Sequence, residues 1–364
     1  MSLAPSAGEI EPAAARLVGL TLNSGWNVVE RIARDGEATG GQFSCQYIVH
    51  KNGRQAFLKA LDYSRVLLRA KREGHDVPTV LQNLVTAYNF ERGLLQQCAQ
   101  RRMDRVVLAI EDGSVEIPGE LFPVNYLIFE RADGDIRKHF AFDAAVSCAW
   151  KLRCLHHITT GLWQMHSINA AHQDLKPSNV LVFGRTLAKI ADLGCASVRG
   201  TPCPRDELAM PGDPSYAPPE LLYGFRAEEW NRRHQACDVY HLGSMCVFMF
   251  CGLGMTTMTL RYIHPSRRPS GWDGEYVGEY ATILPEVRDA FGLALGDFES
   301  SIEDAAMRPE LRLVVGQLCD PNPALRGHPS NRMTASNNPF SLERYVSIFD
   351  RLASTAERRL RVTG

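Results

Sequence analysis

From residue 26 the apolar positions fall into short β-like runs. Val28, Val29 and Ile32 precede a glycine-containing turn, and Phe43, Tyr47 and Val49 follow it. Asn52-Gly53 is a hairpin signal, and Ala56-Phe57-Leu58-Lys59 opens the next strand. A charged stretch over 62–76 leads into a helical pattern at 80–98, with Leu81, Leu84, Val85, Tyr88, Leu94 and Leu95 on its apolar positions. Strands are predicted again at 106–110 and 126–129. After Gly134 the pattern is mainly helical, beginning with a long apolar-periodic helix over 142–166. Further helices are predicted near 236–251, 308–319 and 341–360. The last carries Leu342, Tyr345, Phe349 and Leu352 on one face, with Arg358 and Arg359 near its end, where the helix dipole favours cations. Residues 264–300, with clustered Pro, Gly and aromatics, read as a loop-rich insertion, and the Ala- and Pro-rich residues 1–24 as a flexible tail. There is no internal repeat.

Composition narrows the picture without changing it. A chain of 364 residues with 45% hydrophobic content can bury a large core. A formal net charge of −1 gives no general reason to expect nucleic-acid or membrane binding. Ten cysteines without a CxxC pair read as reduced thiols of a cytoplasmic protein. Cys154, His156 and His157 are the nearest thing to a metal-ligand group, but they lie in an apolar helical run, where a packing role is the stronger reading. The first twelve residues lack the basic-then-apolar order of a signal peptide. The uncharged stretch 242–260 is just long enough to cross a bilayer. Gly252, Gly254 and three threonines interrupt its second half, so no membrane insertion is expected.

The chemistry concentrates in His172-Gln173-Asp174-Leu175-Lys176-Pro177, with Asn179 just after it and Asp192-Leu193-Gly194 eighteen positions beyond Asp174. This short stretch holds an acceptor carboxylate, a cation, an amide and a metal-binding carboxylate, the equipment for moving a phosphoryl group to a hydroxyl. Lys59 stands in a strand upstream. Downstream come Ala217-Pro218-Pro219-Glu220, then Asp238-Val239-Tyr240-His241-Leu242-Gly243, then Asp320-Pro321-Asn322-Pro323 and Arg326. In this order the set resembles the Hanks-type (eukaryotic-like) serine/threonine protein kinase family, over about 26–326. The Lys-Pro after Asp174 favours the serine/threonine branch over the tyrosine branch and over small-molecule kinases of the same fold.

The resemblance implies an α+β, bilobal fold. It has a tail at 1–24, a strand-rich lobe at 25–131 with an insertion near 61–88, a helical lobe at 132–330 with an insertion near 264–300, and a helical extension at 331–364. It implies ATP and Mg2+ as cofactors and proteins bearing serine or threonine as substrates, with no nucleic-acid partner. Asp174 would be the catalytic base, Lys176 would neutralise the phosphate in flight, and Asn179 and Asp192 would hold Mg2+. Lys59 would bind nucleotide phosphates and pair with Glu91, with Glu73 as the second candidate. The backbones of Glu130 and Ala132 would bind the adenine edge behind Phe129, and Asp135 would reach the ribose or a basic substrate residue. Gly36, Gly40 and Gly41 would approach the phosphates from a glycine-rich loop.

Four features depart from the family pattern. The glycine loop is degenerate, with Ser44 where a third glycine is expected, and Phe57 replaces the small residue above the adenine. Gln173 replaces an arginine that usually pairs with a phosphate on the activation segment, so activity independent of that phosphate is expected, with control left to the tail, the C-terminal helix or a regulatory partner. Asp213 replaces a threonine, either as a functional carboxylate or as a solvated loop residue. The altered glycine loop and Phe57 leave a pseudokinase, a nucleotide-binding or scaffold module, as the rival reading.

Overall fold

The computed structural model describes residues 11–33, 44–142, 146–333 and 338–363. The chain divides into two compact units, one of Met1–Arg102 with Val107–Ala132, the other of Met103–Val106 with Asp133–Gly364.

The first unit is built on a five-stranded antiparallel sheet. Its strands are β1 (Asn27–Arg31), β2 (Ser44–Lys51), β3 (Arg54–Leu61), β4 (Ala109–Val115) and β5 (Val124–Glu130), in the spatial order β1-β2-β3-β5-β4. The β2–β3 turn has positive φ at both Asn52 and Gly53, as a tight hairpin requires. Alternation on β3 sends Ala56, Leu58 and Ala60 into the core and leaves Phe57 and Lys59 on the opposite face. The strand expected at 106–110 begins later, at Ala109, because Val106 belongs to the second unit, where it forms a parallel bridge to Ile190.

The loose tail expected at 1–24 is not what residues 11–24 form. Ala13, Ala14 and Ala15 make a buried 3-10 turn, and Leu17 and Leu22 join the core of Trp26, Val28, Tyr47 and Leu58. The Tyr47 hydroxyl donates to the Ala14 carbonyl at 2.6 Å. Alanines need little room to be buried, so hydropathy alone does not mark this turn as core. The 61–88 region supplies α1 (Tyr63–Arg72) and the first half of α2 (Val77–Gln100), each capped by an aspartate, Asp62 and Asp76. Exposed Arg69 on α1 pairs with Glu73, which removes Glu73 as the partner of Lys59.

The second unit is mainly helical. After the short β6 (Gly134–Asp135) come α3 (Ile136–Phe142) and α4 (Cys148–Ser167). The expected 142–166 helix starts later because Ser147 caps it, accepting from the Trp150 N–H at 3.2 Å. Small ladders follow: β7 (Ala170–Ala171), β8 (Val180–Phe183), β9 (Leu187–Ile190) and β10 (Ser197–Val198). The remaining helices are α5 (Pro219–Leu222), α6 (Ala236–Cys251), α7 (Met255–Arg261), α8 (Tyr280–Ser301), α9 (Arg308–Leu318) and α10 (Glu343–Thr363). A strand-rich first unit and a helical second unit are the α+β, two-lobed architecture expected.

Helix α6 is buried nearly all round. Gly243 is required there, since a Cβ would lie 2.4 Å from Cys319 Sγ. The apolar stretch 242–260 breaks at Gly252, whose φ is +73°, and the helices on either side are bent by 77°. No single helix among the described residues is long and apolar enough to cross a membrane. The loop-rich insertion expected at 264–300 is correct only to residue 279. Tyr280, Ile283, Val287, Ala290, Phe291, Ala294 and Phe298 then form the buried stripe of the 22-residue α8. Helix α10 lays Tyr345, Phe349, Leu352 and Ala353 into the core, and Arg153 of α4 reaches Asp350 at 2.6 Å and Glu357 at 2.8 Å.

None of the ten cysteines, all among the described residues, forms a disulfide. Cys154, His156 and His157 serve packing. Cys154 is buried, His156 faces the Val346 carbonyl at 3.2 Å, and His157 accepts the Ala188 N–H at 3.3 Å. Burial lowers the imidazoles of His157 and of His241 on α6 to about 4. The unfolded chain therefore takes up protons near pH 6.5 that the folded chain refuses until about pH 4. Their contribution is present above pH 6.5 and lost as pH falls towards 4, on the order of 2 kcal/mol each by pH 5. Unfolding midpoints followed from pH 7 to pH 5 should fall in the wild type and fall less in His241→Gln.

Candidate active site

On the first unit, β3 carries Lys59 and α2 carries the buried Glu91. The ammonium lies 3.0 and 3.3 Å from the two carboxylate oxygens. Phe57 sits two residues from Lys59 on the same face, directly across from Phe129 of β5, with ring centroids 6.4 Å apart. Glu130 ends β5, and Ala132 follows it. Gly36, Gly40 and Gly41 lie outside the described residues.

On the second unit, the segment after β7 is held from below by Asp238. Its carboxylate, fully buried at the start of α6, accepts the His172 and Gln173 N–H groups, each at 2.8 Å. His166 Nε2 lies 2.9 Å from the same carboxylate. Burial would raise the Asp238 carboxyl, but these hydrogen bonds and the neighbouring histidines hold it below its ordinary value. Gln173, between His172 and Asp174, takes a left-handed φ of +67°.

Asp174 is the hub. Its Oδ1 accepts the Asp213 N–H at 2.8 Å, and its Oδ2 accepts from Asn179 Nδ2 at 3.1 Å and meets Lys176 Nζ at 3.1 Å. Burial raises this carboxyl above its ordinary value against the pull of Lys176, with the charge of Asp192 adding to the rise. Lys176 also reaches Asp213 Oδ2 at 3.4 Å. Burial opposes its charge, yet the two carboxylates hold its pKa above the ordinary lysine value. Asp213 is therefore not a solvated loop residue. Its other oxygen accepts the Ser215 N–H at 2.9 Å, and its side chain is 12% exposed.

The donors for a hard divalent cation are oxygens, and magnesium keeps several waters. Asn179 Nδ2 is committed to the Asp174 carbonyl at 2.8 Å as well as to its carboxylate. This orients the amide, leaving Oδ1 with a long 3.5 Å contact to the Ser178 hydroxyl. Asp192, in a left-handed conformation at φ +65°, sits at the start of a 3-10 turn. The Ala191 N–H donates to the Asn179 carbonyl at 2.8 Å, and His172 Nε2 lies 3.0 Å from the Ala191 carbonyl. The backbone thus ties the two donor residues together. An amide oxygen and a carboxylate fit magnesium. Asp135 is used otherwise than expected, since its carboxylate accepts from the Arg137 N–H and guanidinium at 2.8 to 3.1 Å.

Gly212 was not singled out by the motifs. A Cβ there would lie 2.4 Å from the Gln173 carbonyl and 2.9 Å from Asp174 Oδ1. The position before Asp213 was its only signal. Gly212→Ala is expected to displace the Asp213 N–H from Asp174 and lower transfer by about tenfold or more, with a smaller change in unfolding midpoint. Comparing kcat with the unfolding curve checks this.

Glu220 of α5 and Arg326 close a buried bidentate pair at 2.7 and 2.8 Å. The protein kinase domain family matches residues 90–261. The serine/threonine-protein kinase NLK2 of Xenopus laevis is 29% identical over 47% of the chain and 36% of its own length. Extracellular signal-regulated kinase 1 of Dictyostelium discoideum is 30% identical over 35% of the chain and 23% of its own. The serine/threonine-protein kinase DCLK1 of Rattus norvegicus is 29% identical over 34% of the chain and 29% of its own. The chain thus spans about a third or less of the length of these relatives. The chain is thus similar to Hanks-type serine/threonine protein kinases over the stretch that holds the hub of Asp174, Lys176 and Asn179 described above.

Proposed function

We propose that this chain transfers the γ-phosphoryl group of ATP to serine or threonine hydroxyls of protein substrates, with Mg2+, and needs no phosphate on its activation segment. The observation that carries the first part is the Asp174 hub, in which one carboxylate is oriented by an amide, a backbone N–H and an ammonium. Asp174 accepts the hydrogen bond of the acceptor hydroxyl and takes up its proton as the oxygen bonds to phosphorus. Lys176 neutralises charge on the moving group, and Lys59, steadied by Glu91, holds nucleotide phosphate. Asn179 and Asp192 would hold the metal, which supplies charge neutralisation at the phosphates when bound.

Gln173 supports the second part. Its amide nitrogen donates to the His234 carbonyl at 2.8 Å, and its amide oxygen lies 3.0 Å from His234 Nδ1. The side chain is buried and both its ends are engaged, so it is not poised to receive a phosphate. Among the segment's serines and threonines, Ser197 is buried, which leaves exposed Thr201 and Ser215 to be tested.

The facing rings of Phe57 and Phe129 favour the second reading, a module that holds the fold without turnover. Incubation with labelled ATP and a mixed serine/threonine peptide library separates the two, with Asp174→Ala as control. Incorporation in the wild type alone supports the enzyme; equal incorporation in both samples, or none in either, counts against it. Loss of activity in Thr201→Ala or Ser215→Ala, with the fold intact, would overturn phosphate independence.

A further inference from the structure

The strip 226–234, just before α6, is engaged with the activation segment at two places and with Gln173, the residue before Asp174, at a third. Trp230 Nε1 donates to the buried Ser197 hydroxyl at 3.1 Å. Arg226 Nη2 donates to the Asp206 carbonyl at 2.6 Å, and the Arg233 guanidinium donates to the same oxygen. His234 takes both ends of the Gln173 amide. Two cations thus converge on one neutral peptide oxygen, at the middle of a segment that runs from Asp192 to Glu220. The void beside them, lined by Gln173, Cys195, Arg205, Arg233 and His234, measures about 10 Å³, room for about one water. A phosphate would have to displace the Asp206 peptide to enter.

We propose that Arg226, Trp230 and Arg233, beside a His234 that holds Gln173, form a built-in clamp that keeps the activation segment in the shape bringing the Gly212-Asp213 backbone to Asp174, in place of a segment phosphate. The clamp residues touch no reacting atom; they are positioning residues, and they act through the 2.8 Å bond from the Asp213 N–H to Asp174. Arginine suits the task because its guanidinium stays charged at any physiological pH and its planar fork loses little freedom on forming each bond. The inference rests on the kinase reading for its catalytic consequence, but not for its structural one.

The test uses the full chain, with intact mass confirming that residues 197–216 carry no phosphate. Arg226→Gln/Arg233→Gln is compared with Arg226→Lys/Arg233→Lys, and Trp230→Phe serves as a second variant that removes the indole N–H along with part of the ring. The glutamine pair should exchange amide hydrogens over 199–212 about tenfold faster than wild type. Its kcat should fall by about tenfold while KM for ATP stays within about twofold. The lysine pair should recover most of both losses, and Trp230→Phe should speed exchange near Ser197. Unchanged exchange in the glutamine pair overturns the clamp, as does a parallel loss of kcat and ATP affinity with no rescue by lysine. A wild type without transfer would sink the kinase reading, and the exchange comparison would still decide whether the clamp exists.

Discussion

Asp174→Asn is expected to lower phosphoryl transfer by about 10²- to 10⁴-fold, the range over which a positioned general base acts. The reason is geometric as well as electrostatic. The two oxygens of Asp174 face donors on both sides, the Asp213 N–H on one and Asn179 Nδ2 with Lys176 Nζ on the other. An amide can accept on one side only. Whichever way it is turned, its NH₂ group meets a donor, leaving a buried mismatch worth about 1–3 kcal/mol. The variant should therefore lose transfer and also unfold a few degrees lower, without global collapse, because Asp238 still supports the loop backbone. Steady-state kinetics with labelled ATP and a thermal scan check the two effects. Transfer within tenfold of wild type would remove Asp174 from the role of base.

Arg326→Ala is expected to have the largest effect on stability, about 3–5 kcal/mol. Its guanidinium is fully buried and binds both oxygens of Glu220, the Asp320 carbonyl at 3.1 Å and the Ala236 carbonyl at 3.1 Å. It also lies 5.0 Å from the centre of the Tyr240 ring. Truncation would leave the Glu220 charge buried without its cation, and two carbonyls without their donor. For a unit of this size the midpoint should drop by roughly 6–20 °C. The paired variant Arg326→Met/Glu220→Gln removes both charges and should recover part of that loss. A single-variant cost below about 1 kcal/mol would mean that this pair does not anchor the end of the activation segment.

The catalytic motifs were legible because their chemistry demands particular side chains at short spacing. A carboxylate, an ammonium and an amide two and five residues apart leave few other meanings, and the structure brings Asp174, Lys176 and Asn179 together within hydrogen-bond reach. The helices at 236–251 and 308–319 were legible from their apolar period. Helix α8 was not, because the Pro- and Gly-rich residues before it blurred a pattern that begins at Tyr280. The buried alanines at 13–15 carried no period at all. Glu91 could be preferred over Glu73 by its place in a helix, but the decision came from contact with Lys59.

What the sequence by itself determined is the likeness to protein kinases and the candidate groups for transfer, since those depend on residue identity and local order. What the tertiary structure decided is how those groups are held. The pairing of Gln173 with His234 spans 61 positions, and that of Lys176 with Asp213 spans 37. Nor does local order show that Gly212 must be a glycine, or that Arg226 and Arg233 meet at the Asp206 carbonyl. These contacts join residues far apart in the chain, and their existence depends on how α4, α6 and the activation segment pack. A residue's own neighbours in sequence carry no record of that packing.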